Sequence, residues 1–112
     1  MTVALSKNLD DISDFPLGTV VTTASLHKRM ENEPEFYNFI IFSLDRFRKS
    51  DWGDICTEDK KLNDYAVKNG ARILAVYIYA RTDDKIWIIS EADRNIVTTS
   101  SRTTNNYSLM RL

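Results

Sequence analysis

The spacing of apolar positions changes along this chain, and the changes mark its elements. Phe36, Phe39, Ile40, Leu44 and Phe47 recur at steps of three and four, which is one stripe of a helix reaching about Arg48. Asn32-Glu33-Pro34-Glu35 predicts its start, with Asn32 as cap, Pro34 in the first turn and Glu35 three residues on. Tyr37, Ile41 and Phe42 widen the stripe, so cover on more than one side is expected. Thr57-Glu58-Asp59 opens another helix, with Thr57 as cap and two acids at the positive end of the dipole. Leu62, Tyr65, Ala66 and Val67 give its buried side, and Asn69-Gly70 stops it. Residues 72–80 and 85–90 are dense in Ile, Val, Tyr and Trp and predict strands. Arg81-Thr82-Asp83-Asp84 is the turn between them. Residues 17–23 predict a first strand, 25–30 a short helix, and 95–99 a last strand after a turn at 91–94. Residues 1–16 read as a loose arm and 100–112 as a polar tail. The expected fold is α+β: a three- or four-stranded, mostly antiparallel sheet with two or three helices packed on it, in one domain spanning 1–112.

With 81–84 as a four-residue loop, Ala80 pairs with Lys85. Ile78 then faces Trp87 and Val76 faces Ile89 on one side, while Tyr79 faces Ile86 and Tyr77 faces Ile88 on the other. An antiparallel sheet with one wet face alternates apolar with polar residues, and this hairpin does not. Its second face needs a cover: the first strand and short helix, the tail, another copy of the chain, or a partner. Tyr77, Tyr79 and Trp87 are therefore candidate partner-binding residues. Trp52, Asp51, Asp54, Glu58 and Asp59 join them from the acidic segment before the hairpin. The plain alternatives are that Trp52 plugs the core edge and that Glu58 and Asp59 only serve a helix start.

Composition narrows the classes. The chain has 112 residues, which suits one domain, and 43% hydrophobic with 28% charged residues is ordinary for a globular protein. A net charge of -1 gives no reason to expect direct nucleic-acid binding. The single cysteine, Cys56, fits a reducing compartment. No apolar run approaches the roughly 20 residues of a membrane span. The first residues carry Asp10, Asp11 and Asp14 without a basic start and apolar run, so no signal peptide is expected. The expected location is the cytoplasm.

Candidate chemistry is sparse. Glu58, Asp59, Asp64, Glu91 and Asp93, with Lys60 and Lys85 nearby, could converge to hold a divalent cation or to do acid–base hydrolysis. His27 and Cys56 are the only soft ligands, and with Glu58 and Asp59 they make a chemically admissible zinc set, but without zinc-site spacing. Arg46, Arg48 and Lys49 complement the dipole at the end of the long helix. Gly18, Gly53 and Gly70 make no phosphate loop. No catalytic constellation emerges, so neither an enzyme nor a cofactor is expected.

One pattern runs through the chain: Leu17-Gly18-Thr19-Val20-Val21-Thr22-Thr23, Asp51-Trp52-Gly53-Asp54, Glu58-Asp59, Asn63-Asp64, Gly70-Ala71-Arg72-Ile73-Leu74, and Lys85-Ile86-Trp87-Ile88-Ile89-Ser90-Glu91-Ala92-Asp93-Arg94. In this order it resembles a small family of phage- and plasmid-encoded proteins, over about residues 17–99. The family usually has histidine after the arginine near the end of the long helix, where this chain has Phe47. It also continues past Thr98-Thr99 with aliphatic residues, where this chain has Ser100-Ser101-Arg102. Small proteins of mobile elements are often defence antagonists, and some similar ones are anti-CRISPR proteins. The resemblance thus implies an inhibitor, in the cytoplasm of a bacterial host, that binds the single-protein RNA-guided DNA nuclease of type II CRISPR systems. A metal-dependent hydrolase using the clustered carboxylates, and a regulatory protein of the element acting as a homodimer or larger oligomer, stay open beside it.

Overall fold

Pro34 divides one helical stretch in two. In the computed structural model, which describes residues 13–101 and the backbone of 109–111, α1 spans Ala24–Asn32 and α2 spans Pro34–Arg48. Between them Glu33 is extended, at φ -127° and ψ 97°. A proline ring disfavours helical backbone at the residue before it. Asn32 therefore ends α1 rather than capping α2, and Glu33 takes the cap position without a side-chain bond. The third helix, α3, spans Thr57–Asn69. Cys56 stands at its cap position and Thr57 is its first residue, so the expected Thr57 cap is not made. Its end is as predicted: Gly70 adopts φ 71°, which glycine tolerates without strain, and closes the last turn on the Ala66 carbonyl. No described helix is long and apolar enough to cross a membrane.

The strands are β1 (Thr19–Thr23), β2 (Ile73–Tyr79), β3 (Asp84–Ser90), β4 (Ile96–Ser100) and β5 (Leu109–Arg111), in the order β2-β3-β4-β1-β5. Only β1 and β4 run parallel. Four strands carry the sheet, and three-residue β5 adds to β1 antiparallel. The fold is α+β, three helices on a mixed, mostly antiparallel sheet. Two expectations at the ends change. Phe15 is buried in the core, edge-on to Phe47 at 5.5 Å, and the Asp14 N–H donates to the Arg48 carbonyl at 2.8 Å. Residues 13–16 are thus docked rather than loose, because Phe15 is apolar enough to hold them there. Residues 1–12 of the expected arm, and 102–108 and 112 of the expected tail, lie outside the described residues. Backbone 109–111, expected as polar tail, is strand.

The β2–β3 hairpin turns one residue earlier than expected. Tyr79 pairs with Asp84, Tyr77 with Ile86 and Val76 with Trp87. The Thr82 N–H donates to the Tyr79 carbonyl, Asp83 takes φ 60°, and the Asp84 carboxylate accepts from Thr82 Oγ1 at 2.6 Å and Arg29 Nη1 at 2.7 Å. Those two bonds, Thr82 first, hold the Asp84 carboxyl below its ordinary range. The register moves by two residues, an even number, so every side chain keeps its face.

One face, with Val20, Ile73, Ala75, Tyr77, Tyr79, Ile86, Ile88 and Val97, meets Leu26 and Met30 of α1, the α2 stripe Phe36, Ile40, Leu44 and Phe47, and Ala66 of α3. Each fully buried large side chain there contributes roughly 1.5–3 kcal/mol. The opposite face carries Leu74, Val76, Ile78, Trp87, Ile89 and Ile96. Val76 and Ile89 are buried yet stand outside the core cluster, while Ile78 and Ile96 are 39% and 43% exposed.

Candidate protein-binding surface

β2 is an edge strand, and an edge strand shows unpaired N–H and C=O groups to solvent. The acidic segment and α3 close this one. Gly53 bridges to Val76 in parallel sense, the Asp54 N–H donates to the Val76 carbonyl at 2.7 Å, and the Ile78 N–H donates to Asp54 Oδ2 at 3.0 Å. One step along, Asn63 Nδ2 donates to the Leu74 carbonyl at 2.9 Å while Asn63 Oδ1 accepts from the Leu74 N–H at 3.3 Å. Gly53 is required here, since a Cβ on it would lie 2.2 Å from the Val76 carbonyl oxygen. Asp51 fixes the approach. Its carboxylate takes two bonds from Arg46, at 2.8 and 3.1 Å, and one from the Gly53 N–H. The Arg46 bond outweighs burial and, with Gly53, holds the Asp51 carboxyl below its ordinary range. The Asp51 carbonyl accepts from the Tyr77 hydroxyl at 2.6 Å. Trp52 sits edge-on to Phe47 at 5.5 Å, and its indole N–H donates to Asp64 at 2.9 Å.

Replacing Asn63 by leucine leaves both Leu74 backbone groups without their partner. Asn63→Leu is expected to cost about 1–3 kcal/mol. Amide hydrogen exchange should quicken at Leu74 first. Unchanged protection there would mean that the edge is closed by something other than Asn63.

The sequence-derived site divides accordingly. Tyr77, Tyr79 and Trp52 were expected at a partner surface, but all three are buried in the core. The sheet face that Tyr77 and Tyr79 share receives α2, whose Phe36 packs edge-on to Tyr79 at 5.2 Å and whose Phe39 lies tilted against it at 4.9 Å. Trp87 lies on the opposite face and is half-buried. Asp51 and Asp54 spend their carboxylates inside the chain. Glu58 and Asp59 are exposed in the first turn of α3.

The proposed metal or hydrolytic cluster does not form. Among the described residues no three His, Cys, Asp or Glu side chains gather as a metal site would need. His27 pairs with Glu31, Asp64 with Trp52, and Glu91 with Arg72, while Asp93 accepts from the Asn95 N–H. Cys56 is exposed and free. Arg94 donates to the carbonyls of Glu91 and Ala66, both at 2.8 Å, tying the β3–β4 turn to the end of α3.

Sequence reading missed the outer face of α3. Leu62 and Tyr65 were expected to be buried, yet they are 64% and 63% exposed. The residues that α3 buries are Asn63 and Ala66, with Val67 half-buried. A strand edge offers backbone polar groups rather than side chains, so α3 docks with an amide. One residue is about 100° of helix, and that rotation turns Leu62 and Tyr65 outward. Beside them a groove of about 280 Å3 is lined by Asp59, Leu62, Asn63, Arg72 and Leu74. Leu74 lies on the second sheet face, across from Ile89, and leads from the groove toward Trp87. The apolar outer stripe of α3, rimmed by Glu58 and Asp59, thus runs into the sheet face away from the core. The chain matches no family model, no curated protein and no solved structure.

Proposed function

We propose that this protein acts by stoichiometric binding, with no chemical step of its own, as a defence antagonist encoded by a mobile element. Its target is the single-protein RNA-guided nuclease of type II systems. The binding mode rests on one observation: Leu62 and Tyr65, one turn apart, are both about two-thirds exposed beside a groove that continues onto the sheet. Exposed aromatic and aliphatic side chains grouped with a polar rim are what a protein interface is made of. The target class rests on the resemblance of the sequence over residues 17–99 to proteins of mobile elements. Charge agrees with it, since Glu58 and Asp59 border the patch and such a nuclease holds its heteroduplex in a basic channel.

Cells carrying an active type II system should keep a targeted plasmid when the protein is expressed. The purified protein should form a 1:1 complex with the nuclease. Leu62→Lys and Tyr65→Ala are each expected to weaken that complex at least ~10-fold, as truncation of an interface anchor does. Both side chains are exposed, so stability should change by no more than about 0.5 kcal/mol. Continued plasmid loss with several nuclease orthologues, and no complex with any of them, would remove the target. A complex indifferent to both substitutions would remove the surface.

A further inference from the structure

A cleft of about 490 Å3 opens between the α1–α2 junction and the β2–β3 turn. Glu33, Pro34 and Glu35 form one wall, and Tyr79 and Arg81 the other. Its volume falls within the roughly 300–1,000 Å3 of small-molecule sites. Three kinds of donor meet there. Tyr79 is nine-tenths buried, its ring is held by Phe36 and Phe39, and its hydroxyl has no hydrogen-bond partner among the described residues. The first turn of α2 is uncapped, because the Glu33 carboxylate turns away to Arg29 Nε at 3.2 Å. Glu35, which lines the cleft, carries an early N–H of this turn at the positive end of the helix dipole. Arg81 adds a guanidinium, and it pairs with Glu35 across the mouth.

The charges decide what fits. Glu33 is held by Arg29, which leaves the Arg81–Glu35 pair as the pair that a ligand would have to divide. Both partners are about two-thirds exposed, and such ion pairs are weak enough to open. A simple anion entering the cleft would take Arg81 and strand Glu35 beside a second negative charge. A simple cation would strand Arg81. A zwitterion satisfies both at once, with its carboxylate on Arg81 and the Glu35 N–H and its ammonium on the Glu35 carboxylate. The Tyr79 hydroxyl adds a bond to the carboxylate, and Pro34 and the Tyr79 ring leave an apolar wall for a side chain. We propose that this cleft binds a free α-amino acid with an apolar side chain.

Titrating the apolar and aromatic α-amino acids into 15N-labelled protein, up to ~10 mM, should move the Glu35 and Phe36 amide signals saturably, with millimolar affinity. Methyl esters, which lack the carboxylate, and N-acetyl derivatives, which lack the ammonium, should bind at least ~10-fold more weakly. Tyr79→Phe keeps the ring and Arg81→Ala changes an exposed turn residue, so both should fold, and each should weaken binding ~10-fold. Leu62→Lys should leave this binding unchanged, which separates it from the nuclease complex. Still amide signals with every amino acid, esters binding as well as acids, or inorganic phosphate producing the same shifts would each overturn the proposal.

Discussion

Tyr77→Ala is expected to remove about 3–5 kcal/mol of folding stability, the range for truncating a buried aromatic. That is roughly a fifth or more of what a small domain has to lose. Tyr77 is fully buried, and its ring lies under the Arg46 guanidinium at 4.9 Å and against Gly53. Burial also pushes its hydroxyl above the ordinary phenol range, so it stays a donor to the Asp51 carbonyl. Truncation opens a cavity, strands that carbonyl, and unseats the segment that closes the β2 edge. Tyr77→Phe separates these effects. It keeps the packing, loses one buried bond, and should cost about 1–2 kcal/mol. Urea unfolding of the three proteins tests the ranking. A Tyr77→Ala midpoint equal to that of the parent would mean that this side chain is not core and is free for a partner after all.

The same residue shows what the sequence could and could not say. Alternation in residues 73–90 correctly put Tyr77 and Tyr79 on one face and Trp87 on the other. It does not say which face receives helices. That is settled by α2, whose aromatic stripe, itself plain from its spacing, meets Tyr79. The even register shift explains why a misplaced turn did no harm to the faces. α3 was harder to read. Its period allows Leu62–Tyr65 or Asn63–Ala66 as the inner stripe, and hydrophobicity favours the former. The latter wins because α3 packs on a strand edge, where two backbone groups of Leu74 need an amide. Asp51, Asp54, Asn63 and Asp64 were visible as a polar cluster at element ends. Only tertiary contacts reveal that the cluster serves the fold, and that the exposed Leu62 and Tyr65, which we propose for a partner, lie one residue away on the same helix.

Removing Asp45 should reveal the most demanding charge in the core. Arg48 is only 1% exposed, and its Nη2 donates to Asp45 Oδ1 at 2.5 Å while Nη1 reaches Ser13 Oγ at 3.4 Å. Burying a guanidinium costs several kcal/mol, which only a hydrogen-bonded counter-charge offsets. Asp45→Ala deletes one counter-charge of Arg48 and keeps the cation. The expected loss is about 3 kcal/mol, the low end for a broken buried pair, since the other partners of Arg48, Ser13 among them, remain. Arg48→Met removes the demand together with the charge and should change stability by no more than about 1 kcal/mol, with Asp45→Ala nearly silent in its background. Acid gives an independent reading. Burial works to raise the Asp45 pKa, but the hydrogen bonds from Lys49 and Arg48 outweigh it and set the carboxyl below its ordinary 3.8. On acidification the unfolded chain takes up this proton before the folded one does. The contribution is therefore complete above the unfolded value and fades as pH falls through the lower folded value. The stability gap between parent and Asp45→Ala should be flat from about pH 5 to 8 and shrink below about pH 4. A gap that persisted undiminished in strong acid would assign the loss to packing around Asp45 instead of to the charge it supplies.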